Sequence, residues 1–117
     1  MKHTVSLKLN HVFQRLYRKG DSAVSPNLAL YVRRNGGRES RLGLTVSTKV
    51  GKAVVRNRTR RRLREVYRTN EDKLKSGYDV VVVARVRAAH TRYSQLEKSL
   101  LSLADKLGLL LPEEAEQ

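Results

Sequence analysis

Between Lys49 and Arg68 the chain carries seven arginines, and the side chains able to do chemistry there are Lys49, Lys52, Arg56, Asn57, Arg58, Arg60, Arg61, Arg62, Arg64 and Arg68. A guanidinium is a planar fork that stays charged at physiological pH and can grip two phosphate oxygens at once, so arginine in place of lysine points to phosphate recognition. On a helical projection over about residues 53–69, Val55, Thr59, Leu63 and Val66 share one face. Asn57, Arg61, Arg64 and Arg68 line the opposite face. Arg58 and Arg62 flank that ridge on one side, and Arg56 and Arg60 lie on the other flank near the apolar edge. The plainer reading is a solvated charged helix, but cations at this density repel one another and Glu65 is the one acid close enough to relieve them. The expected partner is a polyanion.

The rest of the composition agrees. Residues 1–64 hold 17 Lys/Arg against Asp21 and Glu39 alone, whereas residues 65–117 hold 8 against 9, and the net charge is +14. Because apolar runs such as Leu28–Val32 and Leu42–Val46 interrupt the basic part, the charge is expected on a folded surface rather than a disordered tail. Protein catalysis finds no support. His3, His11 and His90 lack metal-ligand spacing, and a Mg²⁺-dependent nuclease needs converging carboxylates that the basic region does not offer. Glu71, Asp72, Glu113 and Glu114 read as helix-end or solvent charges. There is no cysteine, hence no disulfide or thiolate metal site, which fits a reducing cytoplasm. No segment approaches the run of about 20 apolar residues that spans a bilayer.

The elements that must position the arginines follow from periodicity. Leu9, Val12, Phe13, Leu16 and Tyr17 recur at helical spacing, with Asn10 placed to cap the start and Gly20 to stop the helix. On that stripe Phe13 and Tyr17 read first as core residues. Residues 28–34 and 41–48 read as strands, and Asn35-Gly36-Gly37 between them predicts an antiparallel hairpin. Tyr31 alternates with Leu30 and Val32 and shares its face with Arg33, so it is expected at a binding surface. After the arginine helix, Tyr78–Ala84 is an apolar run without alternation, suited to a strand covered on both faces. Ser94 and Glu97 suggest a capping box before a last helix marked by Leu96, Leu100, Leu103, Ala104 and Leu107. A frayed acidic tail is expected at 112–117. The order αββαβα predicts an α+β, single-domain α/β sandwich over residues 1–117.

The pattern Lys49, Gly51, Ala53-Val54, Arg56-Asn57, Arg60-Arg61, Arg64-Glu65 resembles the RNR signature of the bacterial ribonuclease P protein, and the likeness extends over roughly residues 5–107. The resemblance implies a left-handed βαβ crossover, against the usual right-handed rule. It further implies that the arginine helix touches the catalytic RNA, and that a cleft holds the single-stranded 5′ leader of precursor tRNA. That cleft carries over onto Phe13, Tyr17, Tyr31 and Arg33. It also implies one protein per RNA, no catalytic residue or cofactor in the protein, and Mg²⁺ required by the RNA subunit. The rival readings are a ribosomal-type structural rRNA-binding protein and a self-sufficient nuclease.

Overall fold

Four consecutive valines cannot alternate between a wet and a dry face, so the strand containing Val80–Val83 has to be covered on both sides. The computed structural model describes residues 1–112, and in it this strand is the centre of a five-stranded sheet. In chain order the elements are β1 (Thr4–Ser6), α1 (Asn10–Lys19), β2 (Asp21–Val24), β3 (Leu28–Arg34), β4 (Ser40–Val46), α2 (Ala53–Asn70), β5 (Tyr78–Ala84) and α3 (Tyr93–Lys106). The sheet order is β1-β4-β5-β3-β2.

Val80, Val82 and Ala84 face a core shared with Leu28, Leu30 and Val32 of β3, Leu63, Val66 and Tyr67 of α2, and Leu96, Leu100 and Leu103 of α3. Val81 points the other way, into a smaller cluster with Leu7, Val12 and Leu16 beneath α1. Each buried valine or leucine among them contributes about 1.5–3 kcal/mol relative to exposure. Helices thus lie on both faces, α2 and α3 on one and α1 on the other, which is the expected α+β sandwich.

The predicted hairpin is corrected. β3 and β4 do not pair; they flank β5, β3 antiparallel through Tyr31↔Val81 and β4 parallel through Gly43↔Val81. The turn chemistry is present, since Gly36 has φ 76°. Five residues can however bridge the two strand spacings, about 10 Å, that β5 needs. The linker crosses the start of β5 and is fastened to it: the Asn35 amide donates to the Gly77 carbonyl at 2.9 Å, and Asn35 Nδ2 to Asp79 Oδ1 at 3.1 Å. Buried Asp79 also accepts from Arg41 Nε and a terminal guanidinium nitrogen, both at 2.7 Å, which raises the Arg41 pKa. The true hairpin is β2–β3, with the Ser25 amide donating to the Leu28 carbonyl at 2.8 Å.

Two elements were not expected from sequence, the edge strands β1 and β2, which are three and four residues long and too exposed to show a period. β1 pairs parallel to β4 and is held by Glu71, which accepts from the amides of Lys2 at 2.8 Å and His3 at 3.3 Å.

The expected caps are also corrected. Asn10 is the first helical residue and Leu9 the cap residue, with no side-chain cap bond. Gly20 ends α1 in an extended conformation, φ −75°, rather than a left-handed one. α3 begins after Arg92 without a capping box, and Glu97 instead accepts from Asn70 Nδ2 at 2.8 Å, joining α3 to α2. Beyond α3, Leu109 is buried and Leu110 bridges to Leu74, so chain order continues past Gly108. Pro112 is exposed, and the rest of the expected frayed tail, 113–117, lies outside the described residues.

The Glu71 clamp gives a pH dependence. Burial opposes ionisation of this carboxyl, but the bonds donated to it outweigh burial and lower its pKa. A depressed pKa stabilises the fold above the ordinary glutamate value of about 4.3, and that stabilisation is lost as pH falls through the folded value. Glu71→Gln should therefore melt below wild type at neutral pH, with the gap closing in acid. A gap that is constant with pH would refute the clamp.

Candidate nucleic-acid interface

α2 owes its entry angle to Gly51, whose φ of 155° is one that L side chains rarely adopt and whose missing Cβ would lie 3.0 Å from Val55. The predicted inner face is the observed one: Val55 is half-buried, and Thr59, Leu63 and Val66 are buried. The Thr59 hydroxyl is satisfied by the Val55 carbonyl at 2.9 Å. Tyr67, four residues after Leu63, completes that face at 1% exposure. Its spacing was the available signal, masked by the arginines around it.

The predicted outer ridge, Asn57, Arg61, Arg64 and Arg68, is exposed throughout. Its members are not equivalent. Arg68 grips Glu65 with two bonds of 2.9 and 2.6 Å and lowers the Glu65 pKa, so its charge is locally matched. Arg61 and Arg64 have no such partner among the described residues. Arg60 donates to Asn57 Oδ1 at 3.2 Å and Arg56 to the Gly51 carbonyl at 3.1 Å. Arg58 and Arg62 reach the carbonyls of Ala89 and Thr91. These neutral acceptors orient the guanidiniums without cancelling their charge. Lys49 and Lys52 are exposed at the N-terminal end of the helix.

The aromatic residues meet on the opposite side of the sheet. In α1 the fully buried positions are Val12 and Leu16, while Phe13 is half-buried and Tyr17 is 36% exposed. Tyr31, from β3, meets Tyr17 edge to face with centroids 5.1 Å apart, and Phe13 lies 6.4 Å from Tyr17 at a tilt. The Tyr17 hydroxyl is 2.7 Å from Thr45 Oγ1, which fixes the ring over β4. Phe13 and Tyr31 thus pack on the small cluster while remaining partly open, so core and surface are not exclusive for them. Arg33 is exposed, two residues along from Tyr31 on the same face.

Gly43 is the residue that sequence reading missed. A Cβ there would sit 2.5 Å from Phe13 Cζ, so the ring lies directly on the strand where no side chain intervenes. Around the sheet edge, where β1 ends before β4 does, a groove of about 330 Å³ runs from Lys8, Phe13 and Gly43 to Arg60 and Arg64. It connects the aromatic side to the arginine helix.

Folding also gathers a group that linear spacing could not reveal. One ligand atom each from His3, Glu71 and Asp72 lie within 4.8 Å of one another. The Glu71 oxygens already accept the Lys2 and His3 amides, so this group is accounted for by the β1 clamp.

A family model for ribonuclease P matches residues 1–108. The sequence is 40% identical over 110 residues to the ribonuclease P protein component of Alkaliphilus oremlandii, covering 94% of this chain and 96% of that one. Against the same component of Clostridium acetobutylicum the identity is 43% over 110 residues, 92% of each chain. The fold matches the solved RNase P protein of Staphylococcus aureus with a TM-score of 0.81 at 31% identity, covering 91% of this chain and 97% of that one. For the RNase P protein of Thermotoga maritima the TM-score is 0.76 at 31% identity, with 83% and 92% covered.

The Phe13–Gly43 contact predicts a non-additive pair. Gly43→Ala should cost about 1–3 kcal/mol as an overpacking change. In a Phe13→Leu background the same change should cost much less, because the clashing ring atom is gone. Denaturant melts of the four proteins measure the coupling, and additive losses would contradict it.

Proposed function

The chain belongs to the bacterial ribonuclease P protein family and is thereby the protein component of a ribonuclease that also contains RNA; on that premise we propose how its two surfaces divide the work. The α2 ridge, led by Arg61 and Arg64 with Arg56, Arg58, Arg60, Arg62, Arg68, Asn57, Lys49 and Lys52 around it, binds the catalytic RNA. The cluster of Phe13, Tyr17 and Tyr31, with Arg33 beside it, takes the single-stranded 5′ leader of precursor tRNA. One observation carries this reading: carboxylate-poor arginines and a partly open aromatic cluster occupy opposite faces of one small sheet, joined by a groove at its edge. Phosphate neutralisation suits structured RNA, and ring faces suit unpaired bases. A ribosomal protein that only fastens folded rRNA needs the first surface but not the second.

In this reading the chain acts as a single RNA-binding domain, one copy per RNA, in the cytoplasm. No described helix is long and apolar enough to cross a membrane. Cleavage is performed by the RNA with Mg²⁺ that it holds itself. The protein lowers the electrostatic cost of bringing two polyanions together, and positions the leader so that the scissile phosphate is presented to the RNA.

Adding the protein should therefore lower the Mg²⁺ concentration at which the catalytic RNA cleaves precursor tRNA. A ribosomal-type protein would leave that requirement unchanged. Binding to the catalytic RNA should weaken steeply with salt, with a log–log slope of about 0.7–0.9 per phosphate neutralised and several units in all. An affinity indifferent to salt would remove support for the ridge.

The leader surface is tested by Tyr31→Ala in the assembled enzyme. Loss of one base stack should cost about 1–3 kcal/mol in precursor tRNA affinity and leave mature tRNA, which lacks the leader, unaffected. Equal losses for both tRNAs, accompanied by a lower melting temperature of the free protein, would make Tyr31 a packing residue only.

A further inference from the structure

α2 carries more arginine than its outward ridge presents. Arg58 and Arg62, one turn apart on its flank, reach across to the segment that joins β5 to α3. Arg58 donates to the Ala89 carbonyl at 3.5 Å, and Arg62 donates to the Thr91 carbonyl. Between helix and segment lies a groove of about 490 Å³ lined by Arg58, Arg62, Ala89, His90, Thr91 and Arg92. His90 and Arg92 are exposed on its far wall.

The two carbonyls orient the helix guanidiniums but leave their charge intact, and each guanidinium has five N–H donors, most of them unused by one such bond. Among the described residues no carboxylate lines the groove, and none forms an ion pair with Arg58, Arg62 or Arg92. α3, which starts beside Arg92, has no acidic residue in its first turn and so adds its positive end to the same potential. If Arg58 and Arg62 served only to brace the β5–α3 connection, a third arginine on the facing wall would add nothing but repulsion. An anion seated between the walls converts that repulsion into attraction.

We propose that this groove binds the phosphodiester backbone of the catalytic RNA, so that the protein's RNA interface continues from α2 across the β5–α3 connection to His90 and Arg92. The inference rests on the reading of α2 as the catalytic-RNA surface and extends it to residues of the chain's near-neutral second half. Position selects this RNA over the tRNA leader. The groove lies on the α2–α3 side of the sheet and shares Arg58 and Arg62 with the arginine helix, while the aromatic cluster lies on the α1 side. No Phe, Tyr or Trp lines the groove and three of its six lining residues are arginines, so it is built to grip phosphate rather than to read bases.

The test uses the full chain and the catalytic RNA, titrated over a range of salt. Arg92→Gln, at an exposed position, should keep the wild-type melting temperature, weaken binding, and lower the log–log salt slope by about 1. Arg92→Lys should retain the slope, because an ammonium still neutralises a phosphate. Arg61→Ala with Arg64→Ala is the parallel test of the ridge. Wild-type affinity and slope in Arg92→Gln, with losses in the ridge variant, would overturn the groove and leave the ridge standing. Wild-type behaviour in both would overturn the reading on which the groove depends. A loss confined to precursor tRNA binding by the preassembled enzyme would overturn the assignment to the catalytic RNA.

Discussion

A strand that is apolar on both faces can be stable only if both faces are covered, and β5 imposes that condition on the whole molecule. Satisfying it from one side takes α2 and α3, and from the other α1 with Leu7. The two surfaces assigned to RNA then fall on opposite sides of the sheet as a geometric consequence. The helix that buries Leu63 and Val66 must turn Arg61 and Arg64 outward, and the helix that buries Val12 and Leu16 must leave Phe13 and Tyr17 along its margin. The surfaces proposed to bind RNA are those that packing of the same helices leaves uncovered.

The few acids are placed to leave the arginine surface charged. Asp79 holds Arg41 and Asn35 at the start of β5, Glu71 holds the first residues against the sheet, and Glu97 ties α3 to Asn70. Each acts inside the fold, where hydrogen bonds to a carboxylate are stronger than between neutral groups. On the outer surface of α2 only Glu65 intervenes, and it takes Arg68. Arg56, Arg58, Arg60 and Arg62 are oriented by carbonyls and an amide oxygen, which direct a guanidinium without neutralising it, while Arg61 and Arg64 extend from the ridge without such a contact among the described residues. The flanks of the cationic surface are therefore shaped in advance, which reduces the ordering cost there when an anion binds.

The sequence by itself determined the arginine helix and its two faces, because a 3.6-residue period is a local property that eighteen residues of α2 suffice to display. It likewise determined the covered strand at Tyr78–Ala84, the last helix, and the family, through a motif contained in one segment. It could mark Tyr31 as facing a surface but left Phe13 and Tyr17 undecided, since helical periodicity reports which side of a helix is apolar and not where the cover above it ends.

What only the tertiary structure decided is what depends on neighbours distant in the chain. Asn35-Gly36-Gly37 signals a turn, yet whether the strands it joins pair directly or admit a third between them depends on residues more than forty positions later, Gly77 and Asp79. The three- and four-residue strands β1 and β2 carry too little pattern to be read locally; β1 is held by a clamp from Glu71 and β2 by pairing with β3. Gly43 is invisible as a site residue until Phe13 is seen resting on it. The acidic balance of the second half hid Arg92, because net charge averages over a segment, whereas a groove is built from the few side chains that folding brings to face one another.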